Sequence, residues 1–260
     1  MTCTETPVSL PPRPVHIIPI TGLPEVVPGQ KLAQLIIEAL HAGKIVPLEG
    51  DVFVIAQKIV SKAEGQLVYL DAIEPSERAT KWAAEFHKDP RVIEIVLRQA
   101  RTIVRMERGV IVAKTHHGFV CANAGVDVSN APPGTALLLP EDPDGSARAL
   151  QEDLTRAFGA QVAVIISDTF GRPWREGLVN IALGVAGIPA LADYRGRQDA
   201  HGRTLQATVI AVADEIAAAA GLVMGKMNRT PAVVVRGIEP SGASGSGRDL
   251  IRPSEKDLFR

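Results

Sequence analysis

Apolar positions along the chain follow two kinds of pattern. From Lys31 to His41 the residues Leu32, Leu35, Ile36, Ala39 and Leu40 recur three and four apart, which puts them on one face of an α-helix closed near Gly43. Elsewhere hydrophobes run nearly unbroken, in His16 to Ile20, Asp51 to Ala56, Ala163 to Ile166 and Ala232 to Val235, and such runs predict short strands, the later ones buried on both faces. Pro75 and Ser76 open a helix carrying Ala79, Trp82, Ala83 and Phe86 toward a core. Asp89 and Pro90 form an N-cap and first-turn pair for another helix, reaching about Ala100. Ile103 to Val112, broken by Arg108 and Gly109, predicts a hairpin or a bent pair of strands. Thr135 to Leu139 reads as a strand, Asp142 to Gly145 as a turn, and Ser146 as the cap of the next helix; Thr208 to Met224 reads as a buried, alanine-rich helix closed by Gly225. Leu178 to Ile188, with glycines at 184 and 187, has no clear period and fits strand or helix equally. Residues 1 to 14, with four prolines, read as an extended arm, and residues 15 to 260 as the folded body, with room for two subdomains.

Composition narrows the function classes. A chain of 260 residues that is 46% hydrophobic and 22% charged describes a globular protein with a substantial core. Its net charge of -1 gives no whole-molecule attraction to nucleic acid or to an anionic membrane, so neither is expected as a partner and any basic site must be local. The two cysteines, Cys3 and Cys121, support neither a disulfide framework nor a cysteine-rich zinc site. No signal-peptide pattern opens the chain, and no segment approaches the roughly 20 apolar residues of a membrane-spanning helix. A cytoplasmic location is the expectation.

Candidate chemistry gathers where apolar runs give way to polar residues. Ala163 to Ile166 stops at Ser167, and Asp168, Thr169, Arg172 and Arg175 follow in one expected loop. A carboxylate, a hydroxyl and guanidinium groups together suit metal and phosphate, although a polar turn uses the same residues. Asp51 to Ala56 likewise ends in Gln57 and Lys58, with Lys62 four residues beyond; two lysines so spaced serve either phosphate or a solvated face. Phe119 to Asn130 supplies Asp127 and Asn130 as oxygen ligands or as members of an Asx turn, with Gly125 permitting close backbone approach. His116 and His117 are adjacent, and on a strand they would point apart, which argues against one shared ion. Asp193 to Arg203, rich in arginine, is a site loop or a surface loop. The glycine-rich phosphate loop ending in GK, the dinucleotide GxGxxG in its strand-to-helix frame, the serine elbow and HExxH are all absent, and SGASGSG lacks the frame to replace them.

The segments SKAEG (61–65), GFVCANAGVDVSN (118–130), LLPEDPDGSA (138–147), ISDTFGRPWREG (166–177), DYRG (193–196) and VMGK (223–226) together resemble the coenzyme F420:L-glutamate ligases, in order and at similar spacing. The resemblance implies an α+β fold with a mixed sheet specific to that family, assembled as an intertwined homodimer. Leu178 to Leu191, apolar and glycine-containing, would then be part of an interface, or else buried core. It implies GTP as co-substrate, with two divalent ions, Mg²⁺ or Mn²⁺, and potassium as a further cation. The reaction implied joins L-glutamate to F420-0 and extends a γ-linked tail. Carried over by motif, Asp127 and Asp168 match carboxylates on the first metal and Thr169 a ligand of the second. Leu23, Pro24, Glu25, Val26, Gln57, Lys58, Lys62 and Asn130 match GTP contacts, as does the segment Met224, Gly225, Lys226. Lys226 departs from the glutamine or glutamate of some relatives, and a protonated lysine cannot ligate a cation. The chain has no room for the flavin reductase fused to some relatives, so a stand-alone ligase is expected. Its rivals are an amide ligase for another carboxylate acceptor and a non-catalytic metal and nucleotide binding module.

Overall fold

Most of the unbroken apolar runs become neighbours in one sheet, and the order of elements explains how. In the computed structural model, which describes residues 14–239 and 242–258, β1 (His16–Pro19), α1 (Leu32–Ala42), β2 (Val52–Ala56), α2 (Gln57–Ala63) and β3 (Leu67–Tyr69) come first. Then follow α3 (Glu77–Phe86), α4 (Pro90–Gln99), β4 (Ala100–Glu107), β5 (Val110–Thr115), β6 (Val120–Ala122) and β7 (Thr135–Leu137). The remainder runs through α5 (Pro143–Phe158), β8 (Ala163–Arg172), β9 (Arg175–Ala186), β10 (Ala192–Asp193), β11 (Val209–Ile210), α6 (Val212–Met224) and β12 (Ala232–Arg236). The expected arm over residues 1 to 14 lies, but for Pro14, outside the described residues.

The central sheet has the order β1-β12-β2-β8-β9; β2 and β8 are parallel and the other neighbours antiparallel. This is a mixed sheet in an α+β architecture. Both faces are covered, which is why β2 and β8 carry no amphipathic period: Phe53, Ile55, Val164 and Ile166 pack with Ile36 and Leu40 of α1 and Leu154 of α5. Val52, Val54, Ala163 and Ile165 pack on the opposite face with Ile216 and Ala220 of α6. A smaller antiparallel sheet, β4-β5-β6, shares a separate cluster with α3 and α4, in which Trp82, Ile93, Val96 and Ile111 meet. Trp82 and Phe86, with ring centroids 4.8 Å apart, belong to that core, as their spacing predicts. Among the described residues no helix is long and apolar enough to cross a membrane.

Several boundaries differ from expectation. The strand that was to end at Ser167 continues to Arg172, because β9 supplies backbone partners through a register shift between Ile166 and Ser167. The run left open between strand and helix is that partner strand. Its second half is core of this chain, since Leu183, Val185, Ala186 and Ile188 are buried within it. The polar residues after β2, left without an assigned element, form α2. Helix α5 starts at Pro143, whose fixed φ suits a first turn, and Ser146 bonds Glu64 and the Asp142 carbonyl instead of capping. Helix α6 begins only at Val212, because Val209 and Ile210 pair with β10.

The first turn of α5 is seated hard against β9. A Cβ at Gly184 would lie 2.1 Å from the Pro143 carbonyl oxygen, so only glycine permits the approach. Asp144, 5% exposed, accepts hydrogen bonds from the Val185 N–H (2.9 Å), the Gly247 N–H (2.7 Å) and the Ser246 hydroxyl (2.6 Å). One carboxylate thus joins α5, β9 and the C-terminal segment. Asp144→Ala leaves two buried N–H groups without an acceptor and is expected to lower unfolding free energy by about 2–5 kcal/mol. Urea denaturation measures this; a loss below about 1 kcal/mol would show that water replaces the carboxylate.

Candidate active site

Parallel pairing brings the carboxyl ends of β2 and β8 side by side, with Ala56 opposite Ser167. A cavity of about 710 Å³ opens at that edge. Its walls collect residues distant in sequence. Leu23, Pro24, Glu25 and Val26 come from the loop after β1, Gln57, Lys58 and Lys62 from α2, and Asn130 from the segment before β7. Asp168 and Thr169 come from the extended half of β8, and Met224, Gly225 and Lys226 from the end of α6. Asp127 does not line the cavity. It borders it through Lys58, whose Nζ is 2.7 Å from Asp127 Oδ2. Every site residue matched by the resemblance is therefore at this edge or one contact away from it.

Local structure accounts for the placements. Because α2 follows β2 without a loop, Lys58 and Lys62 stand one turn apart on the same helix face. Asp127 is pinned by reciprocal backbone bonds with Leu137, at 3.0 and 2.8 Å, and its Oδ1 accepts the Ser129 N–H at 2.6 Å. This is the Asx turn open at the level of sequence, and it also aims the other carboxylate oxygen at Lys58. Gly125 has φ 76°, and a Cβ there would meet Leu139 at 2.5 Å, so close approach is what glycine supplies. The Thr169 hydroxyl donates to Asn180 Oδ1 at 2.9 Å and accepts from the Lys226 ammonium.

The two carboxylates differ in electrostatic setting. Burial pushes the Asp168 carboxyl up to about 6, with the Thr169 N–H and Lys58 opposing and Asp127 reinforcing the rise. Burial also raises Asp127, but the Lys58 and Ser129 hydrogen bonds outweigh it and hold the group below its ordinary value. Ser167, 2% exposed and part of the cavity wall, has a buried Oγ without a hydrogen-bond partner among the described residues. Asp127, Asp168, Thr169, Ser167 and the Asn180 amide offer oxygen donors only. That set, with a desolvated carboxylate and an orphaned hydroxyl, fits a hard cation such as Mg²⁺ or Mn²⁺. No three His, Cys, Asp or Glu side chains converge among the described residues, so water or phosphate oxygens would have to complete the shell.

Ser167, Asn180, Arg229 and Thr230 also line the cavity and were not singled out from sequence. Asn180 sits opposite Thr169 on the strand paired with β8, a pairing that no pattern in its own run announces. Of the arginines considered, Arg172, Arg175, Arg195 and Arg203 are not in the cavity wall. Arg172 donates to the Glu176 carbonyl at 3.0 Å, and Arg195 is paired with Asp193. His116 and His117 do not point apart, because they occupy a turn; their rings stack at 3.8 Å. His117 Nε2 donates to the carbonyls of Pro140 (2.9 Å) and Glu141 (3.1 Å), an assignment fixed by both partners being acceptors.

A folded-state value of about 6, above the ordinary 3.8, means that Asp168 favours the folded chain while protonated and loses that contribution as pH rises from about 4 to about 6. With chelator present, Asp168→Asn is expected to raise the melting temperature at about pH 7.5, and the gain should vanish below about pH 4. Calorimetry at both pH values checks this; a lower melting temperature for the variant at the higher pH contradicts it.

Residues 21–237 match the family model for F420-0:gamma-glutamyl ligase. The coenzyme F420:L-glutamate ligase of Methanothermobacter thermautotrophicus is 48% identical over 250 residues, covering 95% of this chain and 99% of that one. That of Methanopyrus kandleri is 48% identical over 251 residues, covering 95% and 98%. That of Archaeoglobus fulgidus is 41% identical over 247 residues, covering 95% and 96%. With a match of this extent, the chain belongs to the F420-0:gamma-glutamyl ligase family.

Proposed function

We propose that this chain is a GTP-dependent ligase that joins L-glutamate to F420-0 and extends a γ-linked glutamate tail, working in the cytoplasm as a homodimer. The observation that carries the reading is the convergence of Lys58, Lys62, Asn130, Asp127, Asp168 and Thr169 on a single cavity edge of a chain from this family. A carboxylate does not condense with an amine in water unaided. In the proposed route the γ-phosphoryl of GTP passes to the terminal carboxylate of F420-0, GDP leaves, and the glutamate amine displaces phosphate from the acyl phosphate to form the amide.

Such a transfer asks the protein chiefly to position groups and neutralise charge. Divalent metal, when bound, supplies charge neutralisation on the phosphate oxygens. Asp127, Asp168 and Thr169 would hold it, and potassium is a further candidate cation. Lys58 and Lys62 direct ammonium groups to phosphate oxygens, while Gln57, the Leu23–Val26 loop, Asn130 and the Met224–Lys226 turn form the walls against which the nucleotide rests. Arg229, on the same wall, is placed to meet anionic groups. The homodimer is supported by apolar surface at the β8–β9 tip, where Trp174 and Leu178 are 81% and 67% exposed.

Mass spectrometry after incubation with F420-0, L-glutamate, GTP and Mg²⁺ or Mn²⁺ is expected to show products heavier by successive glutamyl residues, with GDP and phosphate released. Absence of GDP release with every component present would overturn the catalytic reading. Turnover of another carboxylate acceptor in preference to F420-0 would overturn the substrate. Asp127→Asn and Asp168→Asn are each expected to lower turnover by at least roughly a hundredfold, because an amide lacks the charge a divalent ion requires. Lys62→Ala is expected to weaken GTP binding more than glutamate binding, as read by calorimetric titration. Light scattering reports assembly; a folded, active monomer at nanomolar concentration would remove the homodimer.

A further inference from the structure

Lysines already hold Asp127, Glu25 and Thr169 at this edge. Lys58 is bound to Asp127, Lys62 to Glu25, and Lys226 to Thr169, from which it acts electrostatically on the neighbouring Asp168. Three carboxylates therefore face three ammonium groups, and Arg229 adds another positive charge to the wall. A bare divalent cation approaching Asp127 and Asp168 meets two ammonium groups that repel it, one of which occupies Asp127 and the other Thr169. A polyphosphate arriving alone finds its cationic partners engaged by carboxylates.

Lys58 makes the conflict sharpest. Besides Asp127 Oδ2 at 2.7 Å, its ammonium donates to Ser129 Oγ at 2.7 Å and to the Ser129 carbonyl at 3.1 Å. A lysine has three N–H donors, and all three are used. It can reach a phosphate oxygen only by giving up bonds to the segment that carries Asp127, which then needs another cation. Lys226 is exposed and holds Thr169 by a single bond, so its share is smaller.

We infer that Lys58, assisted by Lys226, makes binding of a divalent cation and of a polyphosphate mutually dependent: the anion draws the ammonium groups away, and the cation replaces them on Asp127 and Thr169. This deepens the nucleotide reading of the cavity and rests on it. The cavity then takes metal and polyphosphate as one neutralised unit and takes neither well alone.

The test uses the full chain with Mn²⁺ and inorganic tripolyphosphate as probes, following protein-bound Mn²⁺ by electron paramagnetic resonance. Wild type is expected to bind Mn²⁺ weakly alone and tightly with tripolyphosphate. Lys58→Met is expected to bind Mn²⁺ alone roughly 10- to 100-fold more tightly than wild type, as removal of a like charge at contact distance implies, and to gain less from tripolyphosphate. Lys226→Met should show a smaller change in the same direction and carries the test if Lys58→Met fails to fold. Lys62→Met, whose partner is Glu25, should leave binding of Mn²⁺ alone unchanged. Wild type binding Mn²⁺ equally well with and without tripolyphosphate, or folded lysine variants no tighter for Mn²⁺ than wild type, would overturn the inference while leaving the nucleotide reading intact. Failure of wild type to bind Mn²⁺ and tripolyphosphate together removes both.

Discussion

Parallel pairing of two strands imposes a common edge at which both lose their β2–β8 partners at once, and the rest of this molecule depends on where that edge falls. Val52 to Ala56 pairs with Ala163 to Ser167 residue for residue, with both faces of each strand covered by apolar side chains. Beyond Ala56 the chain turns straight into a helix, and beyond Ser167 it continues under the guidance of an antiparallel neighbour. The two exits diverge, and the space between them is the cavity. Its polar groups are thus held by a dry, rigid scaffold while remaining reachable from one side.

That arrangement places the least comfortable groups of the sheet where chemistry is proposed. Among the described residues Asp168, which loses hydration, has no direct cationic partner, and Ser167 presents a buried hydroxyl without a hydrogen-bond partner. Both belong to a strand whose apolar half, Ala163 to Ile166, is fully committed to the core, so neither can relax outward without disturbing β2. The strain of the site is carried by packing elsewhere in the sheet.

What the sequence disclosed follows from the same physics. Unbroken hydrophobic runs identified the covered strands, and three-four spacing identified α1, because burial leaves its period in the residues themselves. The β8–β9 extension was opaque: polar Asp168 and Thr169 looked like the end of a strand, since nothing local announces that a distant segment will supply their backbone partners. Asn180 was hidden for the same reason, lying in a run whose period was unreadable until its partner was known. Lys58 and Lys62 were legible as a pair, but the helix that makes them neighbours was not. Number and density of arginines say nothing about direction: Arg172, Arg175, Arg195 and Arg203 lie outside the cavity wall, whereas Arg229, which lines it, stood alone and drew no notice.

Asp144 carries a further consequence, one of time. Its acceptor oxygens are claimed by Val185 and also by Ser246 and Gly247, which the ribosome adds well after β9. Helix α5 and the hairpin that bears Asp168 and Asn180 are complete long before those partners exist. Until they emerge, the carboxylate must stay in contact with water, and the back of β9 cannot close. A nascent chain can thus collapse β2 against β8 early, yet the contact that ties α5 and β9 to the segment at Ser246 and Gly247 forms only after those two residues have been added.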